Sequence, residues 1–130
     1  MKVGVFIISL DLELHWGVFR TVTYESPYMR NINNTPLAIE RILQVLKEYK
    51  MSATWAVVGL LLADSHDMIE AFAPDVKPVY EKRNHNPYLL QIGRNEAEDP
   101  LHYAPSIIRK ILSVSNQEIA THTFSHFLSR

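Results

Sequence analysis

The apolar and polar positions of this chain fall into blocks that read as alternating strands and helices. Val3 to Leu10 is a continuous apolar run rich in β-branched residues, the pattern of a strand buried on both faces of a parallel sheet. From Gly17 to Asn34 the pattern turns polar and aromatic, predicting a long loop of the kind that often carries function. Thr35-Pro36 then supplies an N-cap and a proline at the first helical position, and Leu37, Ile42, Leu43, Leu46 and Tyr49 form the apolar stripe of a helix. Ala53 to Val58 reads as a second buried strand, with Gly59 marking its exit. Leu60 to Phe72 suits one helix, although its polar middle, Asp64 to Asp67, allows a break. Prolines at 74, 78, 87 and 100 punctuate a second irregular excursion. Helical spacing returns over Pro105 to Leu112, with Ile107, Ile108, Ile111 and Leu112 apolar and Arg109 and Lys110 outward. Glu118 to Thr121 is a third strand running into His122.

Strand, helix, strand is a βαβ unit, so the fold class is α/β with parallel strands whose carboxyl ends share one face. Ligands of open α/β sheets and of β/α barrels bind at that face. The chain length of 130 residues predicts a single domain over 1–130, and 47% hydrophobic against 21% charged residues predicts a folded core. Thirteen Lys+Arg against fourteen Asp+Glu leave no electrostatic footprint for nucleic acid. No apolar run reaches the roughly 18 residues of a membrane span. Lys2 and the apolar run after it resemble a short signal peptide, but Asp11 and Glu13 follow at once and no small-residue cleavage site appears, so a cytoplasmic location is expected. With no cysteine in the chain, a metal could be held only by His, Asp or Glu.

Such groups gather at the predicted carboxyl face. Asp11 and Glu13, two apart, point to one side of the first strand while Leu10 and Leu12 point to the other. Two carboxylates crowded together call for a cation or a shared proton. His122 and His126 follow the third strand four residues apart, which brings both imidazoles to one face if the segment makes a helical turn. Two histidines and one carboxylate with an open position form a recurrent catalytic zinc set that also suits other divalent metals. Among the remaining residues, His15 reads as a surface histidine and Trp16 as a packing residue. His66, His85 and His102 read as solvated. Tyr24, Tyr28, Tyr80, Tyr88 and Tyr103 could stack on a sugar, but aromatics in long loops mostly pin those loops down.

Ser9 to Gly17 (SLDLELHWG) and Glu118 to His126 (EIATHTFSH) resemble the first two motifs of the NodB-homology polysaccharide deacetylases, carbohydrate esterase family 4. Trp55 to Leu61 also resembles a subgroup found in surface-polysaccharide gene clusters. The resemblance implies a distorted (β/α) barrel that hydrolyses an N-acetyl group from a glycan with a divalent metal, commonly zinc. By position, Asp11 matches the base aspartate, and His122 and His126 match the metal-binding histidines. The commoner motif has adjacent acids. Here Leu12 separates them, as in members with an acid-x-acid pattern whose second acid, Glu13, takes the metal. On that pattern the resemblance implies that Glu13, His122 and His126 would hold a divalent metal able to lower the pKa of a bound water, with Asp11 as the group that would accept the water's proton for attack on the acetamide.

The family barrel continues well past its second motif, whereas this chain stops four residues after His126. The resemblance therefore implies the N-terminal portion of a polysaccharide deacetylase domain, with a parallel sheet and an incomplete barrel. The motifs supplying an arginine behind the base and a histidine that protonates the leaving amine lie outside it. Such a portion is expected to be weakly active or inactive alone and to self-associate through an uncovered sheet edge. Three other functions fit the same residues: a non-catalytic carbohydrate-binding or assembly module, an amidohydrolase acting on a cyclic imide or ureide, and a metal-free cluster in which the acids and histidines satisfy one another.

Overall fold

The computed structural model of the chain describes residues 4–127. Strands β1 (Ser9–Leu12), β2 (Ala53–Val57) and β3 (Gln117–Thr121) form one parallel sheet in that order. Asp11 pairs with Ala56 and Ala56 with Ala120, so the three carboxyl ends lie level. This is a mixed α/β fold matching part of the expected barrel, with β1 and β3 at the two edges of the sheet.

Among the described residues four helices accompany the sheet: α1 (Met29–Asn33), α2 (Thr35–Glu48), α3 (His66–Phe72) and α4 (Pro105–Leu112). Ile39, Leu43 and Leu46 of α2 recur at helical spacing and are buried in one core with Leu12, Trp55 and Val57 of the strands and Ile108 and Ile111 of α4. An ion pair between Lys110 and Glu40 ties α4 to α2, which puts both helices on the same side of the sheet, as successive right-handed crossovers require. The indole of Trp55 donates to the side-chain carbonyl of Gln117 at 3.0 Å, and the Gln117 amide donates to the Met51 carbonyl at 3.1 Å, locking the register of β2 against β3.

The first strand is shorter than the apolar run that encodes it. Pairing starts where the Thr54 N–H donates to the Ile8 carbonyl at 3.0 Å, because the neighbouring strand begins at Ala53. Val5, Phe6 and Ile7 have no strand beside them and are exposed, while Val3 lies outside the described residues. A continuous apolar run signals burial without saying what covers it. On α2 the buried stripe is Ile39, Leu43 and Leu46, whereas Leu37, Ile42 and Tyr49 face outward. Its N-cap is Asn34; Thr35 lies in the first turn and donates its hydroxyl to the Asn31 carbonyl at 3.3 Å. The expected loop from Gly17 to Asn34 contains α1, held by buried Met29 and Ile32 three residues apart. The Leu60–Phe72 segment does break at its polar middle: a 3-10 turn covers Gly59–Leu62, and Ser65 caps α3 by accepting from the Met68 N–H at 3.3 Å.

The C-terminus of α2 closes on a left-handed residue. Lys50 has φ 51°, the Met51 N–H donates to the Leu46 carbonyl at 2.8 Å, and the Lys50 N–H donates to Lys47 at 3.2 Å. These two bonds satisfy the last carbonyls in a Schellman arrangement, normally a place for glycine.

Candidate metal centre

At the carboxyl end of β1 the strand alternation carries through. Leu12 is buried in the core, while Asp11 and Glu13 project to the opposite side. Immediately after Glu13 the backbone turns sharply, with Leu14 in the left-handed region at φ 49° and a 3-10 turn over Leu14–Gly17. The Trp16 N–H donates to the Glu13 carbonyl at 3.2 Å. Gly17 sits directly beneath the Glu13 side chain: a Cβ at this position would collide with Oε2 of the carboxylate.

The histidines arrive by a different route from the expected helical turn. His122 extends the ladder, donating its N–H to the Val57 carbonyl at 2.8 Å. The chain then bends, with Thr123 at φ 62° and His126 at φ 52°. The N–H groups of Gly59 and Leu60 donate to the carbonyls of Thr123 and Phe124, both at 2.9 Å, which fastens the bend to the end of β2. That approach explains Gly59, where a Cβ would stand 3.0 Å from the Phe124 Cα. Left-handed residues other than glycine cost energy and gather where a site fixes its side chains. The buried hydroxyl of Tyr80 lies near Ser125, between the two histidines in sequence. Burial, then Tyr88, pushes the phenol up, and Ser125 eases the shift.

Four of the sequence candidates thus come together. Glu13 Oε1 lies 2.8 Å from His122 Nε2 and 3.2 Å from His126 Nε2, and Asp11 Oδ1 lies 3.8 Å from His122 Nδ1. Glu13, His122 and His126 each offer one ligand atom, all within 4.8 Å of one another, and all three side chains are partly buried. Asp11 stays outside this trio, with its side chain 56% exposed, and lines a groove of about 380 Å³ with Asn31, Asn34 and Thr35. Two imidazoles and a carboxylate converging from one side are the chemistry of a three-ligand divalent-metal site with an open position. The buried Nδ1 of His126 has no hydrogen-bond partner among the described residues, so the outer nitrogen of this ring is not tied by a protein acceptor. His66, Asp67 and Glu70 make a second group on α3, with His66 44% exposed and Glu70 71% exposed. Solvated charge on a helix surface accounts for it.

Two histidines depart from their expected surroundings. His15 is buried, not at the surface, and His102 is fully buried at 0% exposure, not solvated. His15 Nδ1 lies 2.9 Å from His102 Nε2, and His102 Nδ1 lies 2.8 Å from Asp99 Oδ2. A polar sequence neighbourhood misled here because the partners, Asp99 and the loop carbonyls, satisfy the rings internally. Burial pushes the His15 imidazole below its ordinary value, a shift the Val22 carbonyl opposes and His102 reinforces. Burial raises Asp99, but hydrogen bonds from His102 and the N–H groups of Gly93 and Leu101, with the charge of His102, hold its carboxyl below the usual range. Tyr103 beside them is pushed up to about 12, chiefly by burial and then by Asp99 and Glu98, and donates its hydroxyl to the Gly93 carbonyl at 2.8 Å. Tyr24 stacks on His15 with ring centroids 5.1 Å apart, so it serves as a loop pin, as Tyr103 does.

The chain is an α/β domain whose parallel sheet brings two histidines and a carboxylate together at its carboxyl end as a candidate metal-ligand group. The chain belongs to the polysaccharide deacetylase family, whose model matches residues 21–128. That makes it a deacetylase-type domain of a family of hydrolases acting on amides. The match includes His122 and His126 and begins after Asp11 and Glu13, so the two acids join the site through the geometry above. Comparison with curated proteins and with solved structures gives no match. Among the described residues no helix is long and apolar enough to cross a membrane.

Proposed function

We propose that this domain belongs to a zinc-dependent deacetylase that removes N-acetyl groups from a polysaccharide or a glycan precursor. Glu13, His122 and His126 hold the metal and Asp11 acts as the base. The observation that carries this reading is the meeting of Glu13 Oε1 with both imidazole Nε2 atoms beside an accessible Asp11. When bound, a divalent metal supplies Lewis acidity at the amide carbonyl and at an attacking water.

The protein's own groups divide the remaining work. Glu13 brings negative charge to the centre and, resting on Gly17, has little room to swing away. His122 presents Nε2 inward and turns Nδ1 toward Asp11, whose carboxylate lies 3.8 Å away. Asp11, on the open side, accepts the proton of the attacking water through a carboxylate oxygen. Attack forms the new carbon–oxygen bond, the acetamide carbon–nitrogen bond breaks, and acetate and a free amine result.

Elemental analysis of chelator-free protein, with zinc, cobalt and nickel offered to wild type and His122→Ala, tests the site. Near-stoichiometric metal in wild type that vanishes in the variant is expected. Metal absent from both favours the reading in which Glu13 and the histidines only satisfy one another. Acetate release from N-acetylated oligosaccharides tests the chemistry, with Asp11→Asn expected to cost about 10²–10⁴-fold in rate. Undiminished release in that variant removes Asp11 from the base role.

A further inference from the structure

Behind the candidate metal centre runs a buried chain of side chains that joins two distant loops. The turn after Glu13 is held at four points. His15 Nε2 donates to the Val22 carbonyl at 3.0 Å, His15 Nδ1 meets His102 Nε2 at 2.9 Å, the Trp16 indole donates to the His102 carbonyl at 2.9 Å, and the His15 N–H donates to the Leu101 carbonyl at 3.2 Å. His102 in turn stands on Asp99, with Nδ1 2.9 and 2.8 Å from the two carboxylate oxygens. Asp99 is braced by the N–H groups of Gly93 at 2.9 Å and Leu101 at 3.3 Å.

Both nitrogens of each ring are thus engaged, and a buried polar group that loses its partner is costly, so the network resists the loss of any one member. His102 is fully buried and His15 nearly so, while Asp99 keeps 13% of its side chain exposed. The other end of the network is the Leu14–Gly17 turn, where Gly17 supports the Glu13 carboxylate.

We propose that His102 and Asp99 are positioning residues for Glu13: they fix the Leu14–Gly17 turn against the loop at 99–102 and so hold Glu13 Oε1 where it meets His122 and His126. This rests on reading Glu13 as a metal ligand. Moving the turn moves the floor under the carboxylate, and the two histidines, anchored separately on the end of β2, do not follow.

The test measures Zn²⁺ affinity by competition with a chromophoric chelator for wild type, His102→Ala, Asp99→Ala, Asp99→Asn and Leu46→Ala, a buried α2 truncation serving as the stability control. His102→Ala and Asp99→Ala are expected to weaken zinc binding about tenfold or more, as loss of outer partners of a metal site does. Leu46→Ala should leave it unchanged. Asp99→Asn should fall between Asp99→Ala and wild type, since the amide keeps the side-chain volume and one oxygen acceptor but sets its NH₂ against the N–H of Gly93 or Leu101. Trp16→Phe, which removes only the indole bond to the His102 carbonyl, serves if His102→Ala does not fold. A parallel readout needs no metal: the ring ¹⁵N resonances of His122 and His126 should shift in Asp99→Ala and Trp16→Phe and stay in place in Leu46→Ala. Wild-type affinity in Asp99→Ala and Trp16→Phe with unmoved resonances overturns the proposal. If wild type takes up no zinc, the metal reading fails, and the resonances alone decide whether the network positions Glu13.

Discussion

The carboxylate of Glu13 lies over the Cα of Gly17 so closely that a Cβ there would stand 2.8 Å from Glu13 Cδ and 2.9 Å from Glu13 Cβ. Gly17 has an ordinary negative φ, so alanine is excluded by this contact and not by backbone strain. Gly17→Ala is therefore expected to displace the carboxylate from His122 and His126 and to weaken zinc binding about tenfold or more. Chelator competition checks it, with thermal unfolding of the metal-free variant expected to change little.

Stabilisation by metal should separate the ligands from the core. Zinc at 100 times its dissociation constant is expected to stabilise the domain by about 2.7 kcal/mol. In His126→Ala that increment should vanish while the metal-free melting temperature moves modestly, because His126 is not part of the apolar core. Differential scanning calorimetry with and without zinc reads both quantities. A variant that loses equal stability in both conditions identifies a metal-free structural cluster.

Asp99 predicts an acid limit. Its folded-state carboxyl titrates below the unfolded value of about 3.9, so the folded chain binds fewer protons in that range and the group contributes stability above it. That contribution is lost as the pH falls from about 4 through the folded value. Urea unfolding between pH 3 and pH 6 should show stability falling toward acid, with a shallower slope in Asp99→Asn. A slope that Asp99→Asn leaves unchanged assigns the acid limit to other carboxylates.

Lys50 offers a gain in stability at no cost to the site. It closes α2 at φ 51°, where a side chain is strained and glycine is not. Lys50→Gly is expected to stabilise by about 0.5 kcal/mol after the added freedom of the unfolded chain is counted. Chemical denaturation measures it, and a destabilised variant would mean that the lysine stem contributes packing that outweighs its backbone strain.

What the sequence made legible follows from the range of the forces involved. Alternation across β1 placed Asp11 and Glu13 on one side because it is a property of adjacent residues, and the level ends of the three strands then followed from parallel pairing. The four-residue spacing of His122 and His126 indicated a shared target, but not the path: the chain bends through two left-handed residues instead of making a helical turn. Nothing local marks His102 as buried, since its neighbours Asp99 and Tyr103 are polar and its partner His15 is 87 residues away. The same limit misread Val5 to Ile7, whose exposure depends on where the neighbouring strand begins. Gly59 reads in the sequence only as a strand exit and Gly17 only as the end of a motif, because their steric fits to Phe124 and Glu13 exist only in the assembled fold.

The contact between His126 and Glu13 spans 113 positions and joins the first strand of the sheet to the last. An ion gripped there would close a loop of 113 positions and tie the carboxyl ends of β1 and β3 to each other across β2. Closing so long a loop is entropically costly in the unfolded state, so its benefit is delivered cooperatively and not to the site alone. Amide hydrogen exchange should slow across β1, β2 and β3 together when zinc is added, turning three short strands into a single unfolding unit.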